Sequence, residues 1–171
     1  MNILTLFKLN YGLYLVTSQD GDKFSGCIVN TVTQITAEEK PKLTVAINKE
    51  NYTCELVSKS KKINISILSQ EADMMLIGKF GFRTGRDFDK LKDTKYILGT
   101  NQIPVVTEKS VGYIEANVIN EIDCNTHILF VLEMNEADIL DNEKIPMTYS
   151  YYHEVVKGKT PPKASTYMKE K

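Results

Sequence analysis

Amides and hydroxyls crowd the segment NTVTQIT, which runs from Asn30 to Thr36 directly after a strand-like run. Only Val32 and Ile35 in this segment are apolar. The remaining positions offer hydrogen-bond donors and acceptors: Asn30, Thr31, Thr33, Gln34 and Thr36. A flat heteroaromatic ring with imide and carbonyl groups needs such partners along its rim, and small side chains against its face. The alternative is structural, because threonine is a good strand former whatever it contacts.

A lysine and three polar side chains follow in the segment AINKENYT, where a strand runs into a predicted helix. Lys49 supplies a point positive charge. The free N–H groups of the helix N-terminus are accompanied by Asn51, Tyr52 and Thr53. This combination suits a phosphate group. The alternative is an ordinary helix start, with Asn51 as its N-cap and Lys49 in solvent.

Glycines, basic side chains and aromatic rings alternate in a third segment, GKFGFRTGRDFDK, residues 78–90. Arg83 and Arg86 add positive charge, while Phe80 and Phe82 add aromatic planes. A loop of this kind can lie over an anionic or planar ligand. The alternative is a solvated loop that its two phenylalanines anchor to the core.

Side chains for acid–base or nucleophilic catalysis are not arranged in any familiar motif. The sequence contains no glycine-rich dinucleotide fingerprint, no phosphate-binding Walker loop and no Gly-x-Ser-x-Gly elbow. The three cysteines are far apart, and the two histidines, His127 and His153, lack metal-like spacing. We therefore predict no metal site, a structural role for His127, and a bound cofactor as the chemical reagent.

Strand-like segments must position these residues. Residues 11–30 predict a hairpin around an Asp-Gly turn, and residues 42–48 and 62–68 predict two further strands. A second antiparallel pair is predicted at 112–124 and 127–140. Helices are few, and we expect one near Asn51, one capped by Ser69 and a short one in RDFDKLK, residues 86–92. The pattern favours a β-barrel with helical insertions over a doubly wound sheet.

Length and charge limit the classes of protein. The chain has 171 residues, which fits one domain spanning 1–171, and its net charge is −1. Nucleic acid is disfavoured because no basic stripe is visible, and no run approaches the roughly 20 apolar residues of a membrane span. The odd cysteine count without a signal peptide predicts a cytoplasmic protein. Residues 154–171 predict a lysine-rich tail on the surface or on a partner chain.

The ordered combination of GCIVNTVTQIT, AINKENYT, FGFRTGRDFDK and YYHEVVKGKTPPKASTY resembles the flavin reductase-like family with the FMN-binding split-barrel fold. The resemblance covers roughly residues 8–167. It is to the flavoredoxin type and to the flavin domain of high-molecular-weight rubredoxins. It implies a mainly β fold, a six-stranded antiparallel split β-barrel with a few helical insertions. It also implies non-covalent FMN, a homodimer, and electron flow from a reduced nicotinamide or another redox protein through FMN to an acceptor.

The resemblance assigns roles to three groups of residues and to one histidine. The isoalloxazine ring and ribityl chain would be bordered by Asn30, Thr31, Val32 and Thr33. The phosphate end would be held by Lys49, Asn51, Tyr52 and Thr53. The loop that closes over the flavin would contribute Phe80, Gly81, Arg83 and Arg86. A contact with the flavin or the nicotinamide would come from His153.

Two functions remain open on this basis. The first is an NAD(P)H-dependent flavin reductase, an enzyme that passes electrons through FMN to free flavin or to a separate rubredoxin. The second is an FMN-binding electron shuttle without nicotinamide-oxidising activity. A split-barrel protein that has lost its flavin is a weaker third reading. The sequence distinguishes neither NADH from NADPH nor one terminal acceptor from another, and it does not say whether FMN is prosthetic group or substrate.

Overall fold

The computed structural model of the chain describes residues 1–167. Within that range the strands are β1 (Tyr14–Asp20), β2 (Lys23–Val29), β3 (Thr33–Gln34), β4 (Lys42–Asn48), β5 (Lys62–Leu68), β6 (Tyr96–Leu98), β7 (Pro104–Val106), β8 (Ser110–Cys124) and β9 (His127–Ile139). The α-helices in the same range are α1 (Tyr52–Ser60), α2 (Met74–Gly81) and α3 (Tyr149–Glu154). A short 3₁₀ helix, Ile3–Lys8, precedes them.

The main sheet is antiparallel in every pairing, with the strand order β2-β1-β5-β8-β9-β4-β3. Six of these strands have seven or more residues, and β3 adds only two at one edge. A separate antiparallel pair, β6 with β7, lies outside it. The prediction of a mainly β, antiparallel fold with few helices is confirmed.

Two tight turns set the register of the predicted hairpins. In the β1–β2 hairpin Asp20 pairs with Lys23, so Gly21 and Asp22 form a two-residue turn. Gly21 has φ +61°, a left-handed conformation that glycine adopts without steric cost. In the β8–β9 hairpin Cys124 pairs with His127, and Asn125 takes the left-handed conformation there. Both turns lie where the sequence predicts them.

The sheet is buried on both faces of β1. Val16 points into one core cluster, together with Val45 on β4, Phe130 on β9 and Val57 on α1. Its neighbour Leu15 points into a second cluster, where α2 and α3 pack. Alternation of side chains along a strand explains why adjacent residues serve different clusters. The helices therefore cover the sheet. The start of α1 lies just after β4, and Gly81 at the end of α2 lies beside Ile28 on β2.

Two helix predictions are wrong. Asp73, not Ser69, caps α2, because its carboxylate accepts hydrogen bonds from the main-chain N–H groups of Met75 (3.1 Å) and Leu76 (3.0 Å). The hydroxyl of Ser69 is used one turn earlier, where it accepts from Glu71 N–H. Residues 86–92 form turns rather than a helix. The Asp89 carboxylate accepts from the main-chain N–H groups of Leu91 and Lys92, which closes a local turn there.

The C-terminal residues contact the rest of the chain more closely than the predicted surface tail would. Residues up to Glu154 form α3, and residues 155–167 then fold back across the same chain. Residues 168–171 of the predicted tail lie outside the described residues. None of the helices in residues 1–167 combines the length and apolar character needed to cross a bilayer.

Candidate functional site

A cleft opens where β2 and β4 end beside the first turn of α1. Its walls are Cys27–Asn30, Ala46–Asn48, Asn51, Gly81 and Phe82, and its floor includes Leu13, Ile77 and Tyr152. The outer side is covered by residues from the C-terminal segment, namely Pro161, Lys163, Ala164 and Ser165. We call these walls the cleft and residues 161–166 the C-terminal strap. The enclosed space between them is about 40 Å³.

Three asparagines give the cleft its polar side. Asn30 is only 4% exposed, and its amide donates to the hydroxyl of Thr166 on the strap, at 2.8 Å. Asn51 caps α1 by accepting from Thr53 N–H, and Asn48 accepts from Glu50 N–H at 2.9 Å. Because α1 starts here, its positive N-terminal end adds to these amides. Apolar side chains, Ile28 among them, form the rest of the wall.

The residues predicted to border a ring divide between the cleft and other surroundings. Asn30 lines the cleft. The Thr31 hydroxyl instead bridges to β4, donating to the Ala46 carbonyl and accepting from the Ala46 N–H, both at 3.2 Å. Val32 packs against the core, and Thr33 is exposed on β3. Ile35, the other apolar residue of this segment, is exposed as well.

The residues predicted to hold a phosphate cluster around the start of α1. Asn51 lines the cleft, while the Lys49 ammonium is paired with the Asp123 carboxylate at 2.6 Å. Tyr52 is buried, and the buried Thr53 hydroxyl shares a 2.9 Å hydrogen bond with Ser25. Only Asn51 of the four is therefore a wall residue in this structure.

The glycine-rich loop also contributes unevenly. Gly81 lines the cleft. A Cβ atom added to Gly81 would lie 3.5 Å from Cγ1 of Ile28. Phe80 is instead buried in the second core cluster. Arg83 lies over the Phe88 ring at 4.5 Å. Arg86 lies over the Tyr52 ring at 4.3 Å and pairs with Glu55, so both arginines have partners away from the cleft wall.

His153 lines a second cavity of about 660 Å³, between the N-terminal residues, α3 and the strap. Its ring lies edge-on to Tyr149, with 4.3 Å between the ring centroids. Its Nδ1 atom lies 3.0 Å from the Gly158 carbonyl, and its Nε2 atom lies 3.2 Å from the Thr160 hydroxyl. The strap thus separates His153 from the cleft.

His127 is a polar residue beside the cleft that sequence reasoning treated as structural. It pairs in register with Asn48, and its Nδ1 atom lies 2.8 Å from the Thr126 hydroxyl. Its Nε2 atom is buried without a hydrogen bond among the described residues. Burial lowers the pKa of His127, and the main chain of Lys163 opposes that effect. The pairing of His127 with the cleft residue Asn48 places it there, and the sequence alone does not show this pairing.

Cys27 in the cleft wall carries a buried thiol, and Lys90 nearby carries a buried amine that donates to the Gly26 carbonyl. Burial raises the pKa of the Cys27 thiol to about 11, so it is protonated at neutral pH and is a poor nucleophile. Burial lowers the pKa of Lys90 to about 8. Within residues 1–167 no three His, Cys, Asp or Glu side chains are grouped as metal ligands. The wall offers binding and orientation rather than a reactive group of its own.

Comparison with known proteins settles the family. The sequence profile of the flavin reductase like domain matches residues 6–158, which is most of the chain. This chain belongs to the flavin reductase-like family. The resemblance on which the sequence prediction rested is confirmed, and the split-barrel fold with it.

Two relatives in sequence and one solved structure illustrate what this chain is similar to. The chain is 41% identical to the ferric-chelate reductase (NAD(P)H) of Archaeoglobus fulgidus, over the full length of both. It is 39% identical to the high molecular weight rubredoxin of Moorella thermoacetica, over 98% of this chain and 72% of that protein. The crystal structure of flavoredoxin from Methanosarcina acetivorans superposes with a TM-score of 0.70 at 19% identity, covering 84% of this chain and 74% of that one.

Proposed function

We propose that this protein is an FMN-dependent oxidoreductase that takes electrons from NADH or NADPH and passes them to a second acceptor. That it is a flavin reductase-like oxidoreductase follows from its family. The observation that supports a flavin in this chain is the cleft itself, where the amides of Asn30, Asn48 and Asn51 face an apolar wall beside a helix N-terminus.

A flavin fits this set of groups at its ring end. Its ring has apolar faces and a rim of imide and carbonyl groups. Ile28, Val29 and Phe82 would pack against the faces and exclude water, and the Asn30 amide would hydrogen-bond the rim. The bound flavin supplies the redox chemistry, taking electrons from the nicotinamide and releasing them to the acceptor.

The start of α1 supports the phosphate end. The positive end of α1, which Asn51 caps, attracts an anion, and the half-buried ring of His127 lies beside the Lys163 main chain. Lys49 is close in sequence, and its ion pair with Asp123 is solvent-exposed. Exposed ion pairs contribute little free energy, so Lys49 can exchange Asp123 for a phosphate.

A separate rubredoxin is the acceptor that we propose first. The Moorella relative carries the name of a rubredoxin, and this chain covers 72% of it. Lysines on the α1 end and on the C-terminal segment would attract an acidic partner, although Lys59, Lys61 and Lys163 each pair with a glutamate. The name of the Archaeoglobus relative makes a ferric chelate the competing acceptor.

Absorbance spectroscopy tests the proposal directly. Purified protein titrated with FMN should give a one-to-one complex with a flavin spectrum, and anaerobic NADH or NADPH should bleach it. Riboflavin is the control for the phosphate contacts. A protein that binds FMN but is not bleached by either nicotinamide is the electron shuttle. Failure to bind FMN contradicts the proposal altogether.

A further inference from the structure

The C-terminal strap covers the cleft that we propose as the flavin site. With the strap in place, the cleft encloses about 40 Å³. One water molecule needs roughly 10–15 Å³ of such space, whereas pockets for cofactor-sized ligands measure about 300–1,000 Å³. With the strap in place, the cleft is therefore too small for a flavin. Any flavin that binds between these walls must first displace residues 161–166.

A chain of hydrogen bonds holds the strap in this position. Its contacts run from Asn30 to Thr166 (2.8 Å), from Thr166 to the Tyr149 hydroxyl (2.8 Å), and from that hydroxyl to Thr160 (2.5 Å). The chain continues from Thr160 to Nε2 of His153 (3.2 Å). We call these five side chains the latch. The latch joins a wall residue of the cleft to α3 through Thr166 on the strap and Thr160, the residue just before the strap.

Donor and acceptor chemistry gives the latch a single direction. The Gly158 carbonyl only accepts, so Nδ1 of His153 donates to it, and a ring with its single proton on Nδ1 accepts from Thr160 at Nε2. The Thr160 hydroxyl then accepts from Tyr149, and Tyr149 accepts from Thr166. The remaining acceptor, on Thr166, takes the Asn30 amide N–H. Each hydroxyl donates once and accepts once, so the loss of any member leaves a neighbour unsatisfied.

The other polar contacts of the strap come from Lys163, whose ammonium donates to the Glu50 carbonyl at 3.4 Å and whose main chain lies beside the His127 ring. Pro162, Lys163 and Ser165 are exposed, and Pro161, Ala164 and Thr166 are partly so. The ammonium of Lys163 lies 3.3 Å from the Glu50 carboxylate, but both groups face solvent, where such pairs are weak. A segment held by a few polar contacts, with little apolar burial, is poised to open.

We propose that the strap and FMN compete for the cleft, with Tyr149 and Thr166 as positioning residues that hold the closed state. This inference rests on the proposed function, because it takes FMN as the competing ligand. Opening the latch frees the Asn30 amide for the flavin rim and removes the strap from the flavin site. The apparent affinity for FMN is then reduced by the fraction of molecules that are closed, and weakening the latch raises it.

Two conservative variants test the proposal in the full-length protein. Thr166→Val removes the hydroxyl that accepts from Asn30, and Tyr149→Phe removes the centre of the latch but keeps the ring. Each should bind FMN about three- to tenfold more tightly than the wild type, as measured by flavin fluorescence, because each removes about one or two hydrogen bonds from the closed state. Ser150→Ala is the matched control, since its hydroxyl contacts only Thr148 among the described residues. Circular dichroism establishes that each variant is folded.

Limited trypsin digestion supplies a second readout that does not depend on affinity. The strap region carries Lys157, Lys159 and Lys163 as cleavage sites. Competition predicts that saturating FMN speeds cleavage at these lysines in the wild type, whereas most ligands slow digestion. Slower cleavage with FMN would show that the strap covers the flavin and would overturn the proposal. Equal FMN affinity of the wild type and both variants would overturn it too. If none of the proteins binds FMN, the proposed function fails, and competition for FMN fails with it.

Discussion

The buried amine of Lys90 should make the stability of this protein rise with pH. Lys90 is 1% exposed, and its ammonium donates to the main-chain carbonyls of Gly26 at 2.6 Å and Phe80 at 3.0 Å. No carboxylate in residues 1–167 forms an ion pair with it. Burial therefore lowers its pKa from 10.5 to about 8, while the Coulomb interaction with Cys27 opposes that effect.

The direction of this pH dependence follows from how many protons the folded and unfolded states bind. Between about pH 8 and pH 10.5 the unfolded chain keeps the Lys90 proton and the folded chain has lost it. Because the unfolded state binds more protons, the free energy of unfolding rises with pH in this window. At neutral pH the buried charge costs about 3 kcal/mol, and about 1 kcal/mol of that cost disappears between roughly pH 7 and pH 9.

Urea unfolding of the wild type and of Lys90→Met, at about pH 7 and about pH 9, measures this effect. The wild type should gain about 1 kcal/mol relative to the variant over that range. The range stops there because burial raises the pKa values of Cys27 and Cys54 to about 11 and about 12, so their unfolded thiols ionise first and stability falls. Leu91→Ala, which removes no titratable group, is the control. A constant difference between wild type and Lys90→Met would refute the reasoning.

Three further predictions follow from the site and the fold. Lys49→Ala should weaken FMN binding at least tenfold and leave riboflavin binding unchanged, because a charge-assisted phosphate contact contributes about 1.5–3 kcal/mol. Equal losses for both ligands would exclude a phosphate contact. The control is Asp123→Asn, which frees Lys49 and should not weaken FMN binding. Asp73→Ala should lower the free energy of unfolding by about 1–2 kcal/mol through loss of the α2 cap, measured by urea unfolding, and an unchanged midpoint would contradict that role. Light scattering of the FMN-loaded protein should give twice the mass of the 19.4 kDa chain, whereas a monomer that retains FMN tightly would contradict the expected homodimer.

Hairpins and strands were the predictable part of this fold, because their signals are local. The Asp-Gly turn at Gly21 and the alternation of Ile63 and Ile65 in β5 depend only on neighbouring residues. The cap of α2 was harder, since Ser69 and Asp73 are both good N-caps and the choice between them depends on tertiary contacts. The ammonium of Lys109 pairs with the Asp73 carboxylate, and this contact spans 36 positions of sequence. The sequence contains no local mark of it.

The candidate site was predictable at the level of segments but not of side chains. All three motif segments reach the cleft, through Asn30, Asn51 and Gly81. Asn48 was missed as a wall residue because its place at the cleft depends on the register of β4 with β9, where it pairs with His127. The strap was missed for a related reason, since its bond to Asn30 joins residues 136 positions apart. The composition of the C-terminal segment drew attention to its lysines, whereas its latch contacts with the rest of the chain involve Thr160, Thr166 and Tyr149.

Neighbouring side chains of NTVTQIT have different surroundings for a simple geometric reason. Side chains of an extended segment point alternately to opposite sides, so four consecutive residues cannot all present side chains to one ring. Asn30 faces the cleft, while the hydroxyl of the next residue, Thr31, is bonded to the main chain of Ala46. That bond fixes the direction in which the chain leaves β2, and with it the position of Asn30. Two of these side chains therefore have separate roles: the Asn30 amide lies at the candidate site, and the Thr31 hydroxyl holds the backbone that carries it. Thr31→Val should accordingly weaken FMN binding only through a displaced Asn30.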